Sequence, residues 1–159
     1  RLLCEGLWSL LQVRRQTGLR NSAHSMVKLM NTVVGNSIQV ASYTHPEYAA
    51  SMQATLEGLK ANAVLLRGTE GEPVADPRKL PSMHCFIKGQ AFAHLDIAPE
   101  TAHETTDMPM GMNAQQTAEF IDAMLNGRRP VPQPIQAQAE LISRLSLACM
   151  DNSVRNETP

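Results

Sequence analysis

Apolar residues recur at helical spacing in several parts of the chain and form short, nearly continuous runs in others. Leucines spaced three or four apart from Leu3 to Leu11, followed by Gly18, predict a first helix and its stop. A second helix is expected to start at Asn21 or Ser22, because both residue types are good N-caps. Its predicted apolar stripe comprises Ala23, Met26, Val27 and Met30.

The middle of the chain alternates between strand and helix patterns. Residues 38–43 predict a strand, and residues 62–67 form an apolar run typical of a strand covered on both faces. Thr44 and Glu47 form a possible capping box for the helix that connects these two strands. The apolar side of that helix comprises Tyr48, Met52, Leu56 and Leu59. This order predicts a right-handed βαβ unit with parallel strands, whose carboxyl ends are the expected ligand edge.

The last part of the chain predicts a strand pair and two helices. Residues 83–87 and 91–95 suit two strands turned at residues 88–90, whereas residues 96–112 lack clear periodicity. Asn113 and Gln116 suit a capping box for a helix that Gly127 stops. After a proline-rich linker, the final helix has an apolar side formed by Ile135, Ala139, Ile142, Leu145 and Cys149.

These patterns predict the α/β class, with helices on both faces of a parallel sheet. We expect one domain over residues 1–150 and a polar tail over 151–159. The longest apolar stretches reach about six residues, far short of the roughly twenty needed to span a bilayer. Three widely separated cysteines argue against a disulfide framework and for a reducing, cytoplasmic setting. Because the chain opens at Arg1 inside a helical pattern, it is expected to be a piece of a longer protein.

Charge is distributed unevenly along the chain. Residues 1–31 hold five basic side chains against one acidic side chain, a net charge of +4, and the remainder sums to −5. Arg20, His24 and Lys28 are four residues apart and share one helix face with Asn21 nearby. Such a face suits a phosphate, a carboxylate or a nucleic-acid backbone. The alternative is an ordinary solvated helix face.

A second candidate site is the loop that follows the buried strand. Arg67, Gly68 and Thr69 lie at the predicted ligand edge, and the glycine allows backbone N–H groups to approach a ligand. Glu70 and Glu72 can hold a hard cation such as Mg²⁺, which prefers oxygen ligands. The alternative is a polar turn that needs glycine for its geometry.

The remaining chemistry is sparse. His45 follows the first strand and either contacts a ligand or helps to start its helix. No catalytic residue is assigned, because no nucleophile stands with a convincing base and acid partner. Aromatic residues are few and do not alternate with basic ones, so base stacking is not expected. Any nucleic-acid binding should therefore be directed to the backbone and sensitive to salt.

Three segments, residues 18–29, 42–48 and 65–77, resemble in order and spacing the YbiB-type branch of glycosyltransferase family 3, which is related to anthranilate phosphoribosyltransferase. The resemblance covers residues 1–95 strongly and the rest loosely. It implies that the chain is the C-terminal part of the family's α/β domain, with a phosphoribosyltransferase-like fold, and that the parent protein is a homodimer.

The resemblance also has functional implications. In the family's enzymes a glycine-rich loop upstream of this chain binds phosphoribosyl pyrophosphate with magnesium. Arg20 matches an arginine near the anthranilate carboxylate, but the Asp-Glu magnesium pair is not reproduced around Glu70 and Glu72. Residues 27–31 also replace a Gly-Pro-rich stretch of the enzymes. The branch is associated with nucleic-acid binding through a basic groove, for which the face of Arg20, His24 and Lys28 is the natural candidate.

Three hypotheses follow. The first is a transferase-like protein that binds nucleic acid or phosphate-rich ligands and lies outside the tryptophan pathway. The second is a magnesium-dependent phosphoribosyltransferase that uses phosphoribosyl pyrophosphate and an unknown acceptor. The third is a fragment without activity, whose core is exposed by the loss of its neighbours.

Overall fold

The computed structural model describes residues 4–68, 72–100 and 111–155, with side chains as far as Asp151. Its helices are α1 (Glu5–Thr17), α2 (Ala23–Met26), α3 (Glu47–Gly58), α4 (Ala114–Leu125) and α5 (Gln133–Arg155). Its strands are β1 (Gln39–Tyr43), β2 (Ala63–Arg67), β3 (Met83–Ile87) and β4 (Gln90–Ala91). Single 3₁₀ turns occupy Val27–Leu29 and Ala93–Leu95. No helix in this described part of the chain is long and apolar enough to cross a membrane.

The four strands form one open sheet in the order β1-β2-β3-β4. β1 and β2 run parallel, with Val40 opposite Val64, which confirms the predicted βαβ pairing. The prediction of a parallel sheet is wrong at β3, which runs antiparallel to β2. The antiparallel pairing of β3 with β4 confirms the predicted strand pair turned at residues 88–90. A parallel return needs a crossover, usually a helix, and the described part of the β2–β3 connection contains no helix.

Helices cover both faces of the sheet, as the sequence predicted. On one face, Leu141 and Leu145 of α5 pack against a buried set comprising Val64, Leu66, Met83, Cys85 and Ile87. On the other face, Leu56 of α3 packs against Ala41, Ala63, Leu65 and Phe86. Alternate residues of β2 belong to the two clusters, as the period of a strand requires. The α/β class is thereby confirmed as a mixed sheet between helices.

The two predicted capping boxes have opposite outcomes. At α4, Asn113 Oδ1 accepts from the Gln116 N–H at 2.9 Å, and Gln116 Oε1 accepts from the Asn113 N–H at 3.0 Å, which confirms the box. At α3 the box is wrong: Pro46 is the N-cap, with φ −53°, and no side chain caps the helix. Because the Pro46 ring holds φ in the helical range, Pro46 serves as the N-cap and the helix begins at Glu47, two residues later than a Thr44 cap requires.

Several residues expected in the core lie at the surface. α2 is a single turn that tightens into the 3₁₀ turn, so of its predicted apolar stripe only Ala23 is buried. Met26 is 60% exposed. In α3, Leu56 is buried, but Tyr48 and Leu59 are 54% and 59% exposed. The burial predicted for these side chains is therefore wrong, because short helices cover only part of the sheet.

The C-terminal half shows smaller differences. The predicted strand 91–95 is reduced to β4, which is followed by a 3₁₀ turn. In α5, Leu145 is buried as predicted, but Leu141 replaces the exposed Ala139 on the core side. α5 also continues to Arg155, so the first part of the predicted tail is helical, and residues 156–159 lie outside the described residues.

Candidate functional site

A cavity of about 310 Å³ lies between α2, the carboxyl end of β1 and the first turns of α3. Arg20, His24 and Lys28 line one side of it, together with Asn21. The α2 turn and the 3₁₀ turn thus keep these four residues on a shared wall, even though the helix is shorter than predicted. We call them the cationic wall.

The Asn21 side chain links α1 to the start of α2, which carries the cationic wall. Its Oδ1 accepts from the Ala23 N–H at 3.1 Å, and its Nδ2 donates to the Leu10 carbonyl of α1 at 2.6 Å. His24 Nδ1 lies 3.3 Å from both the backbone nitrogen and the carbonyl oxygen of Asn21 and 3.2 Å from its Oδ1, and the tautomer of the ring decides which of them it bonds. Both polar atoms of the Asn21 amide are therefore used within the chain, and Nε2 is the His24 ring nitrogen that remains for a ligand.

The opposite wall carries hydroxyl and aromatic groups. Tyr43 and Thr44 contribute from the end of β1, and Tyr48, Ser51 and Thr55 from α3. The chain contains two tyrosines, so both lie at this cavity. Sequence reasoning missed this wall, because it assigned Tyr48 to the core. The available signal was that both tyrosines flank the predicted ligand edge between β1 and α3.

His45 is not among the residues that line the cavity. Its ring meets the Tyr48 ring edge-on, with the centroids 6.0 Å apart, and its carbonyl accepts from the Tyr48 N–H at 3.0 Å. The histidine therefore supports the aromatic side chain and the start of α3. The sequence left two roles open for His45, a ligand contact or a role at the start of the helix. The structure shows contacts for the second role.

The loop after β2 begins with a close backbone approach. The Gly68 N–H donates to the Tyr43 carbonyl at 2.9 Å. A Cβ at position 68 would lie 2.9 Å from the Glu72 carbonyl oxygen and 3.3 Å from Ser42 Cβ. Gly68 is thus required by packing, and its N–H extends the β1–β2 ladder instead of facing a ligand.

Ser42 lies beneath this loop and also lines the cavity. Its side chain is 4% exposed, and its hydroxyl has no hydrogen-bond partner within the described residues. A buried polar group without a partner costs free energy of about 1–3 kcal/mol. The carboxyl end of β1 therefore carries an unsatisfied hydroxyl between the cavity and the loop.

The other predicted loop residues are only partly described. Arg67 ends β2 and is exposed, whereas Thr69 and Glu70 lie outside the described residues. Glu72 is half-buried on the returning side of the loop. In the described part of the chain, no group of three or more histidine, cysteine or acidic side chains is placed to hold a metal. The magnesium pair stays a prediction.

Gln138 of α5 anchors the returning side of this loop. Its side chain is 5% exposed, its Nε2 donates to the Pro73 carbonyl at 2.8 Å, and its Oε1 accepts from the Ala75 N–H at 2.8 Å. A buried amide with both ends bonded is well satisfied. The segment from residue 73 to 75 is consequently fixed against α5.

The groups with shifted pKa values lie away from the cavity. Burial, and next the nearby Asp96 carboxylate, raises the pKa of the Cys85 thiol to about 12, and burial also raises the pKa of Cys149. A hydrogen bond from Arg78 lowers the pKa of Asp76. Thiols with raised pKa values are poor nucleophiles at neutral pH, so the two cysteines have a packing role.

Comparison with known proteins shows a relative of this chain. No family model matches the chain. Over 136 residues the chain is 30% identical to the "Uncharacterized protein YbiB" of Escherichia coli (strain K12). The match covers 85% of this chain but 42% of that protein, so the chain spans about two fifths of the length of this relative. The relative bears the name of the branch that the three sequence segments resemble.

Proposed function

We propose that the chain is part of an anthranilate phosphoribosyltransferase-like protein of the YbiB-type branch and binds nucleic acid or other phosphate-rich ligands at the cationic wall. The observation that carries the proposal is the meeting of Arg20, His24 and Lys28 at one cavity. The similarity to YbiB and the parallel β1-α3-β2 unit support the phosphoribosyltransferase-like fold. The cavity lies at the carboxyl end of β1, where open α/β sheets bind ligands.

The chemistry of the wall favours phosphate. Arg20 and Lys28 are exposed basic side chains, and arginine can form two parallel hydrogen bonds to one phosphate. Neutralising phosphates releases bound counterions, so the affinity should fall as salt concentration rises. The chain as a whole has a net charge of −1, which disfavours indiscriminate attraction of polyanions. Binding should therefore depend on this wall.

The test is fluorescence anisotropy of a labelled single-stranded oligonucleotide, titrated with the 159-residue chain across a salt series. Combining Arg20→Ala with Lys28→Ala should weaken binding at low salt. It should also make the slope of log K against log[salt] shallower by about 0.7 for each lost phosphate contact.

The matched control combines Lys79→Ala with Arg144→Ala, because it removes the same charge from exposed positions that do not line the cavity. This control should keep the wild-type slope. Equal slopes for the wild-type chain and the Arg20, Lys28 variant would overturn the proposal. Equal losses of affinity in the two double variants would show that net charge, and not the cationic wall, causes the effect.

Magnesium-dependent phosphoribosyl transfer with phosphoribosyl pyrophosphate is the second candidate. It is favoured by Glu72, whose backbone carbonyl packs against Gly68 at the carboxyl end of β2, and which precedes the anchored residues 73–75. Release of pyrophosphate that requires magnesium, measured on the longer parent protein over a panel of acceptors, tests this alternative. The homodimer implied by the resemblance belongs to the same proposal, and light scattering of the parent protein would check it.

A further inference from the structure

The cationic wall faces an aromatic group that the sequence alone did not bring near it. The chain has six aromatic residues, namely one tryptophan, two tyrosines and three phenylalanines, and both tyrosines line the cavity. Tyr43 belongs to β1 and Tyr48 to α3, whereas the cations belong to the segment from residue 20 to 28. The fold thus joins cations and aromatic rings that the chain keeps apart.

Tyr48 is the member of this pair that a ligand can reach. Its side chain is 54% exposed, although it lies in the first turn of α3 beside the cavity. The His45 ring meets one edge of the Tyr48 ring, at an interplanar angle of 72°. A large ring that is exposed beside a cavity is a suitable stacking partner.

We propose that the cavity takes one unstacked base of a single-stranded nucleic acid against the Tyr48 ring, with the flanking phosphates on Arg20 and Lys28. This inference rests on the proposed function and names the form of nucleic acid that it selects. Bases of a duplex are stacked on one another and cannot lie flat on a protein ring. A volume of about 310 Å³ is at the small end of ligand pockets, which suits one base and excludes a helix.

The Ser51 and Thr55 hydroxyl groups of the same wall do not discriminate between bases. Ser51 Oγ donates to the Tyr48 carbonyl at 3.0 Å, and Thr55 Oγ1 donates to the Ser51 carbonyl at 2.8 Å. Since both protons are already committed within α3, these groups cannot donate to the edges of a base. Stacking tolerates every base, because each has a π-face. We therefore expect a preference for single strands with little preference for sequence.

The experiment compares three labelled probes of equal length: a thymidine oligonucleotide, the same backbone with abasic sites, and a duplex. Anisotropy is measured on the 159-residue chain and on the variants Tyr48→Leu and Tyr48→Phe. Tyr48→Leu should weaken binding of the thymidine strand by about ten- to a hundredfold and leave the abasic strand unaffected. Tyr48→Phe keeps the ring and should bind as the wild-type chain does.

The salt slope separates this inference from the proposed function. Tyr48→Leu should lower the affinity without changing the slope, since no phosphate contact is lost. Equal binding of abasic and thymidine strands, or an unchanged affinity of Tyr48→Leu, would overturn the stacking and leave the phosphate site standing. If none of the probes binds the wild-type chain at low salt, both proposals fall. Far-UV circular dichroism checks that each variant is folded.

Discussion

The sheet and the N-terminal arm, which we define as residues 4–34, are built on different principles. In the sheet region, Leu56, Leu66 and Leu145 are fully buried between layers. In the arm, α1 contains no buried residue, and Ala23 is the one buried side chain of α2. Apolar burial is the main source of folding free energy, so the sheet region supplies the stability. The arm supplies the charges of the cationic wall.

The candidate site lies at the boundary between these two regions. The aromatic wall belongs to β1 and α3, whose packing is extensive, while the cationic wall depends on polar contacts such as those of Asn21. Binding elements are often drawn from the less stable parts of a fold. Substitutions in the arm should therefore alter ligand binding without unfolding the chain, whereas substitutions of buried residues in the sheet region should lower the stability of the chain.

The largest expected effect comes from truncating one leucine in each region. Leu145→Ala removes a fully buried side chain of α5 and should lower the free energy of unfolding by about 2–5 kcal/mol. Leu10→Ala removes a side chain of α1 that is 52% exposed, and it should change stability by less than about 0.5 kcal/mol. Urea denaturation followed by far-UV circular dichroism measures both. Comparable losses would show that the arm contributes to the core.

The next effect concerns the β3–β4 turn, which packs against the end of α3. Gly89 has φ +80°, and a Cβ there would lie 2.6 Å from the Glu57 carbonyl oxygen. Its N–H also donates to the Ala61 carbonyl at 2.8 Å. Gly89→Ala should therefore cost about 2–4 kcal/mol, from left-handed backbone strain together with the clash against the helix end.

Gly127 provides the matched control for this turn. It has φ +68°, but a Cβ there would meet no atom within 4 Å. Gly127→Ala should thus cost only the backbone strain, about 1–2 kcal/mol. The difference between the two variants isolates the close packing of the β3–β4 turn on α3. If the two costs are equal, this turn does not pack tightly against α3 in solution.

The sequence predicted those features that local chemistry determines. The apolar run of residues 62–67 became a buried strand, and Asn113 with Gln116 formed the expected capping box, because burial and capping depend on near neighbours. The exposure of Met26 and Tyr48 depends on how far each helix reaches over the sheet, which periodicity does not encode. The direction of β3 likewise depended on a connection whose described residues, 68 and 72–82, contain no helix.

The sequence predicted one of the two walls of the candidate site. The spacing of Arg20, His24 and Lys28 indicated the cationic wall, since residues four apart share a helix face. The aromatic wall was missed because Tyr48 fits a helical apolar stripe, and the stripe predicted burial. The cavity between the walls arises from tertiary packing over some twenty residues of chain. Helical periodicity gives no signal for packing between residues so far apart in the chain.

The smallest expected effect tests whether the arm folds with the sheet. Cys4 is the N-cap of α1, with an extended backbone, and its side chain makes no capping hydrogen bond. Cys4→Ser offers a better cap and should stabilise α1 by about 0.5–1 kcal/mol, whereas Cys4→Ala should not. Trp8, the one tryptophan of the chain, lies in α1, so its fluorescence reports on this helix.

We expect the serine variant to raise the urea midpoint of Trp8 fluorescence alone. The midpoint measured by far-UV circular dichroism should stay nearly constant, since most helical residues belong to α3, α4 and α5 outside the arm. Two probes that give different midpoints exclude a single cooperative transition. If both midpoints rise together, α1 folds with the sheet in spite of its exposed side chains. The hydrogen bond from Gln39 Nε2 of β1 to the Lys28 carbonyl, and the packing of Leu29 against the cluster of Ala41 and Leu56, would then hold the arm to the sheet.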